Sequence, residues 1–345
     1  MGKSFNSRGA RKYTENPYHR LSDSRINDPD KKRSTIFREV EAKSIVNKVE
    51  SPDLPFYYSM NPYQGCEHGC TYCYARKTHL YLDHDAGLDF ESIIYVKTNA
   101  AELLEKKIRS GNWEGDVIAL SGNTDCYQPA EIKYGVTRKI LEVCLKYGNP
   151  VSIVTKSGSI TRDIDILKKM AEKGLVKVHF SIHTLNDELR RNMEPRASSI
   201  PLRLKTAEKL STEGIRVEAL IAPVIPGLND YELMAVAKEL KNRRVADINY
   251  MLLRLDEFGY DVFEDWLEHC YPDRKNKVLN LLRSVHNGST TSTARNGRKS
   301  GKGTYSEHIK QVFHLAKNTH FNNVIPFEFQ RNEYYKKNTS QLSLF

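Results

Sequence analysis

The stretch Val176-Lys-Val-His-Phe-Ser-Ile-His183 alternates apolar and polar residues without a break. Successive side chains of a strand point to opposite faces. Val176, Val178, Phe180 and Ile182 therefore share one face, and Lys177, His179, Ser181 and His183 the other. An apolar face that packs on helices, backed by a polar row turned inward, suits a strand of a parallel barrel. Such barrels place their chemistry at the C-terminal ends of the strands, which singles out Ser181 and His183.

Working outward, short apolar runs alternate with helical patterns, as repeated βα units do. Strands are predicted at Phe56–Met60, Asp116–Leu120, Val151–Thr155, Val176–Ile182, Val217–Ala222 and Ile248–Leu253. Between them, Ile140, Val143, Cys144 and Tyr147 share a helical face, as do Ile160, Ile164, Leu167 and Ala171. Gly148 and Gly174 sit where helix ends favour a residue tolerant of positive φ. Six strands with crossovers predict an α/β fold, a parallel barrel left partial because eight strands are not found. The expected division is a polar N-terminal arm over 1–50, a barrel core over 51–256 and a helical C-terminal extension over 257–345. Residues 1–35 have the composition of a disordered segment. In the extension, a loop from Asn287 to Gly303 carries Arg295, Arg298, Lys299 and Lys302 and no acid. A short amphipathic helix follows, with Tyr305, Ile309, Val312, Phe313 and Ala316 on one face.

The chemistry-bearing stretch is Asn61-Pro-Tyr-Gln-Gly-Cys66-Glu-His-Gly-Cys70-Thr-Tyr-Cys73-Tyr-Ala. Its spacing is C-x3-C-x2-C. Three thiolates this close suit three irons of a [4Fe–4S] cubane, because soft sulfur ligands favour Fe–S clusters. Three ligands for four irons leave one iron open to a chelating amino and carboxylate pair. Gly65 and Gly69 permit the tight turns of such a loop. The competing assignment is a zinc site completed by His68 or a distant histidine, although Zn²⁺ sites usually pair two cysteine doublets and no second doublet exists here. Of the other cysteines, Cys144 falls on an apolar helical face and Cys270 has no ligand pattern around it.

This spacing, with the aromatic Tyr72 before the third cysteine, resembles the signature of the radical S-adenosylmethionine (SAM) superfamily. The likeness extends to the branch of spore photoproduct lyase and its DNA repair photolyase-like relatives. It is carried by Asn61-Pro-Tyr, Gly65-Cys-Glu-His-Gly-Cys70, Ala86-Gly-Leu-Asp-Phe90, Asn123-Thr-Asp125, Tyr127-Gln-Pro129, Thr155-Lys-Ser157, Glu194-Pro195 and Ala222-Pro223. It runs from about Val40 to Ala316. The resemblance implies a partial (βα)6 barrel of radical SAM type, with a cluster on Cys66, Cys70 and Cys73 and SAM as cofactor. It implies SAM contacts at strand ends. Tyr72 lies near the adenine, Thr124 and Asp125 receive the amino group, and Lys156 neutralises the carboxylate. Ser181 meets the ribose or carboxylate, and Ala222 with Pro223 offers backbone groups to the adenine. Each also has a plain structural reading: Asp125 as a helix cap, Lys156 as a solvated lysine, Ser181 as a hydrogen-bonded filler. The branch uses a cysteine near the end of its second strand as hydrogen-atom donor. Here Gly122 falls near that register, and Cys126 follows as the candidate donor or as a small buried filler.

Bulk properties set the partners. Lys plus Arg outnumber Asp plus Glu by 53 to 43, which fits a polyanion such as nucleic acid or serves solubility alone. No run of about eighteen apolar residues occurs, so no membrane span is expected. The N-terminus lacks the apolar stretch of a secretory signal, and three of six cysteines cluster within eight residues, so a reducing cytoplasm is the expected location. Reductive SAM cleavage implies an electron donor such as flavodoxin or ferredoxin. Three functions follow: a radical SAM enzyme acting on damaged or modified nucleic acid, one acting on a protein, peptide or small molecule, and a non-catalytic zinc or Fe–S module.

Overall fold

Six strands run parallel in chain order, as the spacing predicts. A computed structural model describes residues 8–14, 16–17, 34–50, 56–291, 301–331 and 334. Its strands are β1 (Ile36–Val40), β2 (Val46–Lys48), β3 (Tyr58–Met60), β4 (Tyr63–Gln64), β5 (Ile93–Lys97), β6 (Ile118–Leu120), β7 (Val151–Thr155), β8 (Val176–Ser181), β9 (Arg216–Val224) and β10 (Asp247–Leu252). The main sheet has the order β10-β9-β8-β7-β6-β3-β2; all pairs are parallel except β2 with β3. This is the partial α/β barrel expected. A second sheet, β1-β5-β4, had no counterpart among the predicted strands.

The alternation of residues 176–183 survives in β8. Val176, Val178 and Phe180 are fully buried in the main core. On the other face Lys177 Nζ and His179 Nδ1 lie 3.3 and 3.7 Å from Glu218 Oε2 on β9. The helix Val136–Tyr147 buries Ile140, Leu141 and Cys144 and stops at Gly148, whose φ of +68° is cheap for glycine alone. Ile160 departs from the expected α-helix: it lies in a 3-10 turn, Gly158–Asp163, ahead of the helix Ile164–Ala171. The Ser157 side chain accepts from Ser159 N–H and starts that turn.

Helices Glu257–Cys270, Pro272–Val285 and Thr304–His320 follow the barrel. The last buries Ile309, Phe313 and Ala316, while Tyr305 and Val312 are half-buried. The chain then crosses the N-terminal end of the barrel. Phe327 and Phe329 cover Lys177, and Phe327 also covers Arg216. Gln330 N–H donates to Gly174 O at 3.0 Å. Most of the expected basic loop, with Arg295, Arg298 and Lys299, lies outside the described residues. No helix among the described residues is long and apolar enough to cross a membrane. The described part of the N-terminal arm departs from expectation: Arg8, Gly9 and Ala10 are buried. They dock through main-chain amides and a guanidinium, so no apolar period betrays them.

Candidate active site at the barrel mouth

The cysteine loop leaves β4 and enters a 3-10 turn at Arg76–Leu82. Cys66 and Cys70 are buried, Cys73 is half-buried, and all three are free thiols. Gly65 has φ of +84°, and a Cβ there would stand 2.6 Å from Ile93 O, so only glycine fits the turn. Gln128 braces the loop. Its Oε1 accepts Glu67 N–H at 2.9 Å and its Nε2 donates to Gly65 O at 3.0 Å. Arg76 donates to Cys70 O from Nε and Nη2 at 3.1 and 2.7 Å. Burial pushes the Cys70 thiol up to about 12 against the pull of Lys156, and it raises Cys66 and Cys73 as well.

The strand ends gather around this loop. Lys156, after β7, places Nζ 3.3 Å from Cys70 Sγ, 2.9 Å from Tyr72 OH and 3.0 Å from Glu194 Oε1. Burial works against the Lys156 ammonium, yet Cys70, Glu194 and Tyr72 hold its pKa well above the ordinary lysine value. Glu194 is fully buried and also receives Tyr72 OH and Arg203 Nη2. Its burial opposes ionisation, but Arg203, Lys156 and His183 outweigh that and hold it well below the usual carboxylate range.

Asp125 already accepts three hydrogen bonds. Its Oδ1 accepts Tyr127 N–H at 2.9 Å and Thr155 OH at 2.8 Å, and its Oδ2 accepts Lys156 N–H at 2.9 Å. Thr124 donates its hydroxyl to Tyr63 O at 2.9 Å and keeps lone pairs to accept with. Ser181, at the end of β8, donates to Ala222 O at 3.2 Å. Cys126 is 0 % exposed and belongs to the main core, and burial raises its thiol well above the ordinary value. Of the two expected roles, hydrogen-atom donor and small buried filler, this burial fits the filler. Over Gly122, Tyr74 OH donates to the backbone carbonyl.

Several buried polar atoms around the loop lack a hydrogen-bond partner among the described residues: both ring nitrogens of His183, His68 Nδ1, Thr71 Oγ1 and Glu67 Oε2. Burial lowers the pKa of His68 and of His183 to about 4, so both rings are neutral at pH 7. Unpaired buried groups are costly, and here they cluster beside three free thiols. That donor set fits an iron–sulfur cluster with a polar ligand beside it. Among the described residues, no three His, Cys, Asp or Glu side chains are gathered as ligands of one metal ion.

Arg203, Arg76 and Glu91 carry no signal in the sequence. Charged residues usually face water, and only the fold brings them to the loop. In the sequence Glu194 stands out only as part of Glu194-Pro195; its partners Lys156 and Arg203 come from other elements.

A family model described as the Radical SAM superfamily matches residues 60–240. An uncharacterised protein of Mycobacterium tuberculosis is 33 % identical over 250 residues, covering 72 % of this chain and 74 % of the relative. One from Methanocaldococcus jannaschii is 29 % identical and covers 70 % and 86 %. Among solved structures, spore photoproduct lyase complexed with dinucleoside spore photoproduct aligns with a TM-score of 0.60 at 18 % identity, covering 83 % of this chain and 79 % of that one. A double mutant of that lyase with bound AdoMet and dinucleoside spore photoproduct aligns with a TM-score of 0.55 at 17 % identity, with the same coverage. These likenesses carry the fold, and the family match carries membership: the chain is an enzyme of the radical SAM superfamily.

Proposed function

We propose that Cys66, Cys70 and Cys73 hold a [4Fe–4S] cluster, that SAM binds beside it, and that the substrate is damaged or modified nucleic acid. The observation that carries the cofactor half is the set of three free thiols in one loop, with Lys156 Nζ 3.3 Å from Cys70 Sγ. A cluster held by Cys66, Cys70 and Cys73 would supply the electron for reductive cleavage of SAM. The chain's own residues bind and orient. Lys156 offers a fixed positive charge to the SAM carboxylate. Thr124 accepts from the amino group, while Asp125 holds the ends of β6 and β7 together. Tyr72 and Ala222 flank the adenine, and Ser181 and the unpartnered His183 offer polar contacts to the ribose. Like other members of the superfamily, the enzyme needs a reductant, for which a flavodoxin or ferredoxin is the proposed partner.

The substrate half rests on charge and shape. The formal net charge is +10. A groove of about 590 Å³ opens where the chain leaves β9, lined by Tyr231, Arg274, Lys277, Tyr305 and His308 among others. Arg274 and Lys277 in one groove with Tyr231 and Tyr305, the latter held by Asp230, suit phosphates and unstacked bases. Spore photoproduct lyase, whose fold this chain shares, has been solved with a dinucleoside photoproduct. The test is anaerobic reconstitution followed by measurement of 5′-deoxyadenosine with and without UV-damaged DNA. Zinc uptake without iron or sulfide would overturn the cofactor half. Release of 5′-deoxyadenosine that ignores damaged DNA, together with no salt-sensitive binding to DNA or RNA, would overturn the substrate half.

A further inference from the structure

Residues 8–10 form one wall of the cysteine loop. Gly9 N–H donates to Glu91 Oε2 at 2.8 Å, and Ala10 N–H donates to Glu91 Oε1 at 2.7 Å. Arg76 Nη2 reaches the same Oε1 at 2.5 Å, with both side chains fully buried. Arg8 donates to the Glu91 carbonyl and to Thr35 Oγ1, and Thr35 donates in turn to Glu67 in the loop. Arg76 also donates to Cys70 O, Ala86 O and Gly87 O. A continuous chain of bonds therefore runs from the Gly9 and Ala10 amides through Glu91 and Arg76 to the carbonyl of the second cysteine.

Steric fit adds a second link. A Cβ on Gly9 would overlap the Gly69 carbonyl oxygen. One on Gly69 would stand 2.8 Å from Glu91 Oε2 and 3.0 Å from Gly9 N. The two glycine backbones touch because neither carries a side chain. Beyond this contact the segment stays attached: Thr14 N–H donates to Asp85 Oδ1, Ala86 N–H to Thr14 Oγ1, and Asn16 Nδ2 to His84 O. A buried carboxylate needs its lone pairs filled, and the segment supplies two of the donors that Glu91 uses.

We propose that Arg8–Ala10 is a clasp that positions the Gly69–Cys70 peptide for cluster uptake, a role that rests on the cluster assignment above. Clasp and cluster act on one loop, so each stabilises the other: metal-site formation is coupled to local folding, and linkage is reciprocal.

The test uses the full chain and three variants: Gly9→Ala, a deletion of residues 1–10, and Lys12→Ala, which keeps every backbone donor of the segment. In the cluster-free protein, hydrogen exchange at amides 66–73 should speed on the order of tenfold or more in the first two. Exchange across β7 and β8 and in Lys12→Ala should match wild type. After anaerobic reconstitution the first two should hold less iron and sulfide per chain. In wild type, loading should slow exchange at the Gly9 and Ala10 amides, which a merely structural segment would not show. Wild-type exchange at 66–73 with full iron in both variants overturns the clasp, as does loading that leaves Gly9 and Ala10 unchanged. If wild type takes up no iron while the exchange difference persists, the cluster assignment has failed and the loop-positioning role has not.

Discussion

Replacing Glu194 by Gln tests the electrostatics of the barrel mouth. The carboxylate is 0 % exposed and answers two cations, with Arg203 Nη2 bonded directly and Lys156 Nζ at 3.0 Å. Tyr72 OH bonds to it as well, and His183 Nδ1 lies 3.7 Å away. Glutamine keeps the shape but leaves two buried cations without a counter-charge and turns an amide donor toward them. Removing one partner of a buried pair costs about 3–5 kcal/mol, a large share of a total of about 5–15 kcal/mol. The assay is urea unfolding of the cluster-free chain as a function of pH. Glu194 is held below its ordinary value in the folded state, so its contribution is complete above the unfolded pKa of about 4.3 and is lost as pH falls through the folded value. The gap between wild type and variant should therefore be full at pH 7 and shrink on acidification below that unfolded pKa. Equal urea midpoints at pH 7, or a gap that stays constant down to pH 3, would refute the reasoning.

Three further outcomes are expected. Lys156→Met removes the charge proposed for the SAM carboxylate, and a charged hydrogen bond contributes about 1.5–3 kcal/mol; SAM binding by calorimetry on reconstituted protein should weaken roughly tenfold or more, with iron content retained. Gly122→Cys should fold within about 1 kcal/mol of wild type, because the nearest atom to an added Cβ is Ser59 Cβ at 3.4 Å; the new thiol should react with maleimide in the native state while the buried Cys126 does not. Reversing Arg274 and Lys277 together to Glu should weaken binding of single-stranded DNA and lower its salt slope by roughly 1.4, taking about 0.7 per phosphate contact; an unchanged slope would remove the groove from the substrate path.

What the sequence disclosed was whatever has a local period. The β8 stretch declared itself because one face is apolar at every second residue, and the six barrel strands share enough of that texture to be placed. The cysteines stood out because spacing itself carries the chemistry. β4 has two residues, too few for a period, and β1 lies mostly half-buried to exposed. The clasp works through the Gly9 and Ala10 main-chain amides, which every residue but proline possesses. Cys126 shows where spacing stops informing: it follows a strand end closely, as a mouth residue should, yet its backbone is held by Ser121 and Thr137 and its side chain is buried. Lys156 and Arg203 meet Glu194 only after the barrel has curled.

The aromatic pair at the far end of the barrel gives the molecule a direction. Phe327 and Phe329 lie over the start of β8, and Tyr334 anchors nearby on Trp113 O at 2.7 Å. Among the described residues this pair covers the charged Lys177 and Arg216 at the base, opposite the strand ends around which the cysteine loop folds. Two design problems are thereby separated. Changes at the base are expected to tune rigidity, and changes in the loops after the strands are expected to alter the candidate site while that aromatic cover stays as it is.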